Sequence, residues 1–260
     1  MHTFDTPDRT TLMVRAAAGH VTVATDDTDR TTVELTPLNA AGEDAVANAR
    51  VEQRGSKIVV DFPRSHGGLF RQSPSVGVDV TCPHGTSLDL QTGSSDIQAT
   101  GTYSEAVVAT GSGAIELDTV TGSAKLKSGS GAVSAVRVDE ALVATAGSGD
   151  ISIGELAGDV VTKTGSGDVE VGRLGGTLQT KSGSGSLTVR QATSGMVRAN
   201  GASGDINIGV AEGTAAWLDV STVSGRVTQE LEESTAPADG QHRVEITART
   251  VSGDLRVFRP

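Results

Sequence analysis

Small and apolar residues recur at a fixed spacing through the middle of the chain. A small residue precedes an apolar strand pattern at nine positions, and the intervals between them are 18 residues five times, then 19, 21 and 28. The second residue after every marker is aliphatic, and in most repeats the fourth is apolar too, so the step of two indicates a strand. The markers are Ser95, Gly113, Gly131, Gly149, Gly167, Gly185, Gly204, Gly225 and Gly253. The aliphatic residues are Ile97, Ile115, Val133, Ile151, Val169, Leu187, Ile206, Val227 and Leu255.

A second strand follows in each repeat, with inward candidates such as Leu142 and Ala144 or Leu178 and Thr180. One further apolar residue separates the two strands, at Val120, Val138, Leu156 and Leu174. Each repeat then forms one coil, and equivalent residues of successive coils stack about 4.8 Å apart. Stacking buries a core that no single coil buries alone, which is typical of solenoids. The pattern predicts an all-β fold, a parallel β-helix with an 18-residue coil.

The flanking regions follow the pattern less strictly, although residues 1–260 are predicted to form a single solenoid domain. Residues 1–92 form irregular N-terminal coils with one candidate helix near 39–50, where Asn39 is a possible N-cap. Residues 93–210 form the regular coils, and 211–260 form C-terminal coils with an acidic insertion at 228–242. If the coils stack in chain order, that insertion separates the last two, and the coil marked by Gly253 is the terminal one.

Each corner between strands carries glycine with serine, threonine or aspartate. Glycine reaches positive φ without steric penalty, so we expect it to make the sharp turn. The polar residue just before the corner is expected to form a ladder of side-chain hydrogen bonds along the axis. These residues are Thr110, Ser128, Thr164, Ser182 and Asn200.

The segment "SVGVDVTCPHGTSLDLQTGSSDI" combines a strand, a Pro-x-Gly-x-x-Leu turn and a Gly/Ser-Asp-Ile corner. It resembles the bacterial domain of unknown function catalogued as a putative adhesin with β-strand repeats. The opening "TFDTP" and the later "GTAAWLDVSTVSGRV" resemble a cytoplasmic branch of that family without a signal peptide. The resemblance covers essentially the whole chain and implies a single-stranded, right-handed β-helix. It implies no established activity and supplies no catalytic residues.

Composition narrows the classes of function. Aromatic residues make up 2% of the chain and the formal net charge is −11. A nucleic-acid binder needs clustered Lys and Arg, so no nucleic-acid partner is expected. No apolar run reaches the roughly 20 residues that span a bilayer, and the N-terminus lacks the pattern of a signal peptide. Cys82 is the single cysteine, so no intrachain disulfide forms. We therefore expect a cytoplasmic protein with no membrane partner.

No residue pattern in the sequence gives a strong indication of a catalytic or metal-binding site. Gly-Ser-Gly-Asp corners suggest calcium, but Ca²⁺ prefers six to eight oxygen ligands, and only Asp150 and Asp168 are acidic on neighbouring coils. The favoured interpretation makes the corner acids turn residues. The five histidines are scattered singly, and no phosphate-binding loop or serine-hydrolase elbow occurs. The sequence therefore predicts no catalytic residues, no metal ligands and no cofactors.

The remaining candidates are residues suited to binding a partner. Leu69 and Phe70, with Arg64 and Arg71, form an apolar, basic loop within 63–74. Trp217 is predicted to point outwards, where the favoured interpretation is that the acidic insertion 228–242 covers it. The favoured function is a non-enzymatic scaffold or protein-interaction module, with an unidentified protein partner and end-to-end self-association as a further possibility. The first alternative is an adhesin-like surface or carbohydrate-binding protein. The second is a carbohydrate-active β-helix enzyme, which would need clustered carboxylates beside aromatic platforms.

Overall fold

The structure is a computed structural model that describes residues 1–6, 9–62, 73–231 and 242–260. It is all-β apart from one helix in the described part, and it divides into two compact units, Met1–Gly131 and Ala132–Pro260, which are treated separately below. No helix among the described residues is long and apolar enough to cross a membrane. The prediction of an all-β, solenoid-like fold with parallel strands is confirmed.

The described residues of the first unit form twelve strands and the helix. Their bounds are β1 (His2–Asp5), β2 (Thr11–Ala16), β3 (Ala18–Asp26), β4 (Arg30–Pro37), α1 (Ala40–Ala47), β5 (Arg50–Arg54), β6 (Lys57–Asp61), β7 (Ser75–Pro83), β8 (Ser87–Thr92), β9 (Asp96–Tyr103), β10 (Ala106–Thr110), β11 (Ile115–Val120) and β12 (Ala124–Ser128). Within this unit one sheet has the order β1-β4-β7-β3-β9-β11, and the other has the order β12-β10-β8-β2-β6-β5.

Stacking order and chain order differ at the start of the first unit. β2 pairs with both β6 and β8, and β3 pairs with both β7 and β9, all in parallel. The coil 11–26 therefore lies between strands that follow it in the chain. Among the described strands, the antiparallel pairs are β1–β4, β4–β7 and β5–β6.

Helix α1 lies within the predicted range 39–50 and begins with a side-chain cap. The Asn39 side chain accepts a hydrogen bond from the Gly42 N–H at 2.7 Å, which satisfies one of the amides left free in the first turn. The Asn39 amide also donates to the carbonyl of Ser73 at 2.9 Å. This second bond fixes the start of the helix to the chain ahead of β7.

Thirteen strands are formed by the part of the second unit that the structure describes. Their bounds are β13 (Val133–Val138), β14 (Leu142–Ala146), β15 (Ile151–Leu156), β16 (Val160–Thr164), β17 (Val169–Leu174), β18 (Thr177–Ser182), β19 (Leu187–Ala192), β20 (Gly195–Ser203), β21 (Ile206–Val210), β22 (Ala215–Ser224), β23 (Val227–Glu230), β24 (Arg243–Ser252) and β25 (Leu255–Phe258). One sheet has the order β13-β15-β17-β19-β21-β25-β23, and the other has the order β14-β16-β18-β20-β24-β22.

Parallel pairing places equivalent apolar residues beside one another in both units. In the first unit Ile97 pairs with Ile115, and both are 1% exposed. In the second unit Ile151 pairs with Val169, which in turn pairs with Leu187. The predicted inward residues of the second strands are also buried, at Leu142, Ala144, Val160, Thr162, Leu178 and Thr180. These buried rows form the core that the alternating pattern predicts.

The C-terminal coils of the second unit are also stacked out of chain order. β24 lies between β20 and β22, and β25 lies between β21 and β23. The Gly204 N–H donates to the carbonyl of Ser252 at 3.0 Å, and the Gly253 N–H donates to the carbonyl of Ser224 at 3.1 Å. The expectation that the Gly253 coil is terminal is therefore wrong. The 28-residue interval before Gly253 supplies the chain needed to step back by one coil.

The corner glycines of the regular coils are required for close approach rather than for positive φ. Of the corner glycines, only Gly204 and Gly253 have positive φ. At Gly167 a Cβ would lie 2.0 Å from the carbonyl oxygen of Gly149, and at Gly185 it would lie 1.9 Å from that of Gly167. The expected left-handed turn is thus wrong for these coils. Backbone of one coil packs directly on backbone of the next, and no side chain fits between them.

Candidate interaction surfaces

The corner aspartates form a row of hydrogen bonds between coils. Asp150 Oδ1 accepts the backbone N–H of Asp168 at 2.8 Å, and Asp168 Oδ1 accepts that of Ser186 at 2.8 Å. Asp205 and Asp254 continue the arrangement at the other end of the unit, where the Asp205 carboxylate accepts the Asp254 N–H at 2.8 Å. In the first unit Asp96 accepts the Ala114 N–H at 2.9 Å. The corner acids therefore satisfy amides of the neighbouring coil, which gives them a structural role.

Hydroxyl groups ahead of the corners bond within their own turn, and in the first unit they also bond to the preceding coil, as the expected ladder requires. Thr110 Oγ1 donates to the carbonyl of Ser95 at 3.2 Å, and Ser128 Oγ donates to that of Gly113 at 3.0 Å. Thr164 Oγ1 accepts the Gly167 N–H at 2.9 Å, and Ser182 Oγ accepts the Gly185 N–H at 2.8 Å. Asn200 does not belong to this row, because it is exposed and pairs with Lys181, while Gly201 pairs with Ser182. The 19-residue interval shifts the equivalent position by one residue, so the prediction for Asn200 is wrong.

Potential catalytic and metal-binding groups are dispersed. Among the described residues, no three His, Cys, Asp or Glu side chains are grouped so that they could hold a metal ion. The Cys82 thiol is buried, and burial raises its pKa to about 11, so the reactive thiolate is scarce at neutral pH. Tyr103 is also buried, which raises the pKa of its phenol, and its hydroxyl lies 2.9 Å from the carbonyl oxygens of both Val23 and Thr100. Both side chains act as parts of the core.

A shallow groove of about 300 Å³ in the second unit carries alternating charges. Arg137 Nε donates to Asp139 at 2.7 Å, and Arg137 Nη1 donates to Glu155 at 3.3 Å. The bond to Asp139 raises the pKa of Arg137. The side chains of Arg137 and Glu155 are about half exposed and that of Asp139 is partly exposed, and ion pairs in contact with solvent contribute little to stability. The groove is a polar surface feature with no adjoining aromatic platform among the described residues.

The outer face of one sheet in the second unit carries a cationic row. Lys163 pairs in register with Lys181, and Arg198 on the next strand pairs with Gln179. All three cations are exposed, and none forms an ion pair with another described residue. The outward face of this sheet therefore carries a local cluster of positive charge, which the repeated pattern of small and apolar residues does not predict. The row gives an acidic chain one local surface suited to acidic groups.

Four of the five predicted partner-binding residues, Leu69, Phe70, Arg64 and Arg71, lie outside the described residues. Trp217 lies on β22 and is 60% exposed, so its predicted outward orientation agrees with the structure. It pairs in register with Glu245 of β24. The structure thus brings Trp217 together with β24, and its relation to the 63–74 loop is not described.

Strand β22 has a free edge. It pairs with β24 on one side, and no strand among the described residues pairs with its other side. Its inward residues Leu218 and Val220 are consequently only partly buried, and the outward residue Val223 is 83% exposed. Sequence reasoning missed this edge because it placed the Gly253 coil outside it. The available signal was the near absence of charge in "AAWLDVSTVS".

Comparison with protein families agrees with a solenoid-like fold of parallel strands. The family profile Toastrack DUF4097 matches residues 5–159 and 154–258, which together account for nearly the whole chain. The chain belongs to this family. The expected relation to repeated-strand domains described as adhesins is confirmed. No curated protein is detectably similar to the chain.

One solved structure of low sequence identity shares the fold. A "putative lipid binding protein" from Parabacteroides distasonis is 14% identical, with a TM-score of 0.56, and the match covers 98% of this chain and 95% of that one. A "putative adhesin" from Bacteroides fragilis is 10% identical over the same shares, with a TM-score of 0.47. The first similarity supports the fold alone.

Proposed function

We propose that this Toastrack-family chain is a non-enzymatic scaffold that binds a protein partner at positions where the stacked coils end or are interrupted. The observation that carries the proposal is Trp217, a large aromatic side chain 60% exposed on a strand with a free edge. Tryptophan is enriched among residues that dominate binding energy at interfaces. An unpaired strand edge offers main-chain hydrogen bonds to a partner.

The rest of the described surface supports a scaffold rather than a catalyst. The corner carboxylates are bonded to backbone amides of neighbouring coils, as at Asp150 and Asp168. The rows of buried aliphatic residues make a stiff support on which exposed groups keep fixed positions. The cationic row at Lys163, Lys181 and Arg198 favours a partner with acidic groups on its surface.

We further propose the finer form of the fold, a single-stranded, right-handed β-helix with an 18-residue regular coil, acting in the cytoplasm. An experimental structure would test the hand, and a left-handed path would contradict it. Fractionation of the native cell would test the compartment, because recovery with the envelope or the medium would contradict a cytoplasmic location.

Affinity capture from native extract tests the interaction function. The bait set contains the wild-type chain, Trp217→Ser, a deletion of residues 65–72, and Val136→Ser as the matched control. Val136 is 59% exposed on β13 and lies away from β22 in the chain. We expect a partner that Val136→Ser retains and that Trp217→Ser or the deletion loses, with all variants equally folded by circular dichroism. Binding must then be reproduced with purified components.

Two outcomes would contradict the proposal. Partners insensitive to both Trp217→Ser and the deletion would show that the coil faces form the binding surface. Turnover of a glycan by the purified chain would favour the carbohydrate-active alternative instead.

A further inference from the structure

We propose that the partner of β22 is a second copy of this chain, whose own β22 pairs with it in antiparallel orientation about a twofold axis at Val220. The inference rests on the proposed function, because it names the partner of the same strand. The pairing is isologous, so each copy uses the same surface and the assembly closes as a dimer. Two observations support the inference. They are the residues along the free edge of β22 and the antiparallel register in which two copies of those residues can pair.

The free edge of β22 lacks the features that keep exposed edges unpaired. The strand contains no proline, lysine or arginine, and its single charge, Asp219, accepts a hydrogen bond from Arg249 of β24 at 3.2 Å. Pairing with β24 keeps a single register from Ala215 to Thr222 and again at Ser224, so no bulge bends the edge away. Proteins usually protect edges with charged residues, proline, bulges or short strands.

An edge in the first unit shows such protection. β5 is the last strand of its sheet, and it has five residues, RVEQR. Arg50 and Arg54 both form ion pairs with Glu52. A strand that is short and mostly charged is a poor template for further pairing. β22 is twice as long and nearly uncharged, which marks it as an edge that is covered in the functional assembly.

Side-chain direction and charge select the register. Opposite residues of an antiparallel pair project to the same face, so copies that keep their inward residues on one side must centre the pairing on a residue. A register centred on Asp219 places two copies of that carboxylate opposite each other, and like charges there are destabilising. A register centred on Ser221 leaves Trp217 without an opposite residue in β22. Centring on Val220 avoids both faults.

The register centred on Val220 also matches the exposed side chains. On the outer face, Trp217 lies opposite Val223 of the second copy, twice by symmetry, and these residues are 60% and 83% exposed in one copy. Aromatic and β-branched residues form favourable cross-strand pairs. On the inner face, Val220 meets its own equivalent and Leu218 meets Thr222. The partly buried inward row of β22 is thereby covered.

Single cysteine variants test the register directly. Opposite Cα atoms in an antiparallel pair are roughly 4.5 to 5.5 Å apart, which lies inside the range of about 4.4 to 6.8 Å for disulfides. Val220→Cys should therefore form a disulfide-linked dimer under mild oxidation, seen on a non-reducing gel. Thr222→Cys is the matched inward control, because its two copies would lie about 14 Å apart along the strands. The native Cys82 is buried, so the wild-type chain gives the background.

The outcomes separate this inference from the proposed function. Dimers from Val220→Cys but not from Thr222→Cys support the pairing, whereas faster cross-linking of Asp219→Cys overturns the register. Sedimentation velocity gives a second measure, in which the wild-type chain and Val136→Lys should be dimers and Trp217→Lys a monomer. A wild-type monomer at all concentrations overturns the inference. If Trp217→Ser still loses a different protein in the capture experiment, the proposed function stands without it.

Discussion

Replacement of Leu174 by aspartate tests the assignment of the core in the second unit. Leu174 has 0% of its surface exposed and pairs in register with Leu156 and Ala192, both of which are buried. The new side chain would thus meet apolar groups on both neighbouring coils. The matched control is Val136→Asp, because Val136 lies outward on a strand of the same sheet and is 59% exposed.

The expected loss of stability has two parts. Removing a buried leucine side chain down to alanine usually costs about 2–5 kcal/mol. A buried polar group without a hydrogen-bond partner adds about 1–3 kcal/mol, so Leu174→Asp should lose about 4 kcal/mol or more. For a chain of this size that lowers the melting temperature by roughly 10 °C. Val136→Asp should lose less than about 1 kcal/mol, mainly through strand preference.

Thermal unfolding followed by circular dichroism measures both shifts, with Leu174→Asn as an uncharged control. Burial raises the folded-state pKa of the new aspartate above its unfolded value of about 3.9, so its additional disadvantage relative to asparagine is absent below that pH. The disadvantage should grow as the pH rises towards the folded-state pKa and then become constant. Equal melting shifts for Leu174→Asp and Val136→Asp would refute the inward assignment of Leu174.

Three further predictions concern hydrogen bonds at the corners and in the core. Asp168→Ala should lower the free energy of unfolding by about 1 kcal/mol. Asp168→Asn should lower it by less, because asparagine can still accept the Ser186 N–H. Equal effects of the two substitutions in urea titrations would contradict that hydrogen bond. Millimolar Ca²⁺ should not raise the melting temperature above that in Mg²⁺, because Asp150 and Asp168 each accept a backbone amide. A specifically bound ion at a hundredfold excess over its Kd would instead add about 2.7 kcal/mol to the free energy of unfolding. Tyr103→Phe should lower the stability by about 1–2 kcal/mol, because the buried carbonyl of Val23 and the part-buried carbonyl of Thr100 lose the hydroxyl beside them. An unchanged midpoint would show that these carbonyls find other donors.

The sequence predicted which residues point inwards but not which coils are neighbours. The alternation at Ile151 or Leu178 depends on local geometry, in which every second residue of a strand faces one side. Every coil presents a similar aliphatic row to the coils above and below it, so the Gly225 and Gly253 coils look equally suitable as the terminal one. The structure settles their order through backbone pairing, which has no residue-specific signature.

The candidate surface was predictable only in part. The outward orientation of Trp217 followed from strand periodicity, because neighbouring Leu218 was assigned inwards. The free edge of β22 depends on the order in which the coils stack. Because that order was not predicted, the edge was missed. The role of the corner acids was inferred as turn chemistry, whereas Asp168 bonds to the next coil rather than to its own turn. A hydrogen bond between coils depends on the distance at which the coils stack. The sequence of a single repeat does not specify that distance.

The out-of-order coils have a consequence for how the chain forms during synthesis. β22 and β23 leave the ribosome before β24 and β25, yet their pairing partners are those later strands. In the first unit, β2 and β3 likewise await strands that are made after them, from β6 to β9. Coils at these two places cannot be added one at a time in the order of translation. A released chain that ends before residue 243 would hold residues 215–230 without their neighbours, so a chain truncated there should be sensitive to protease at those residues.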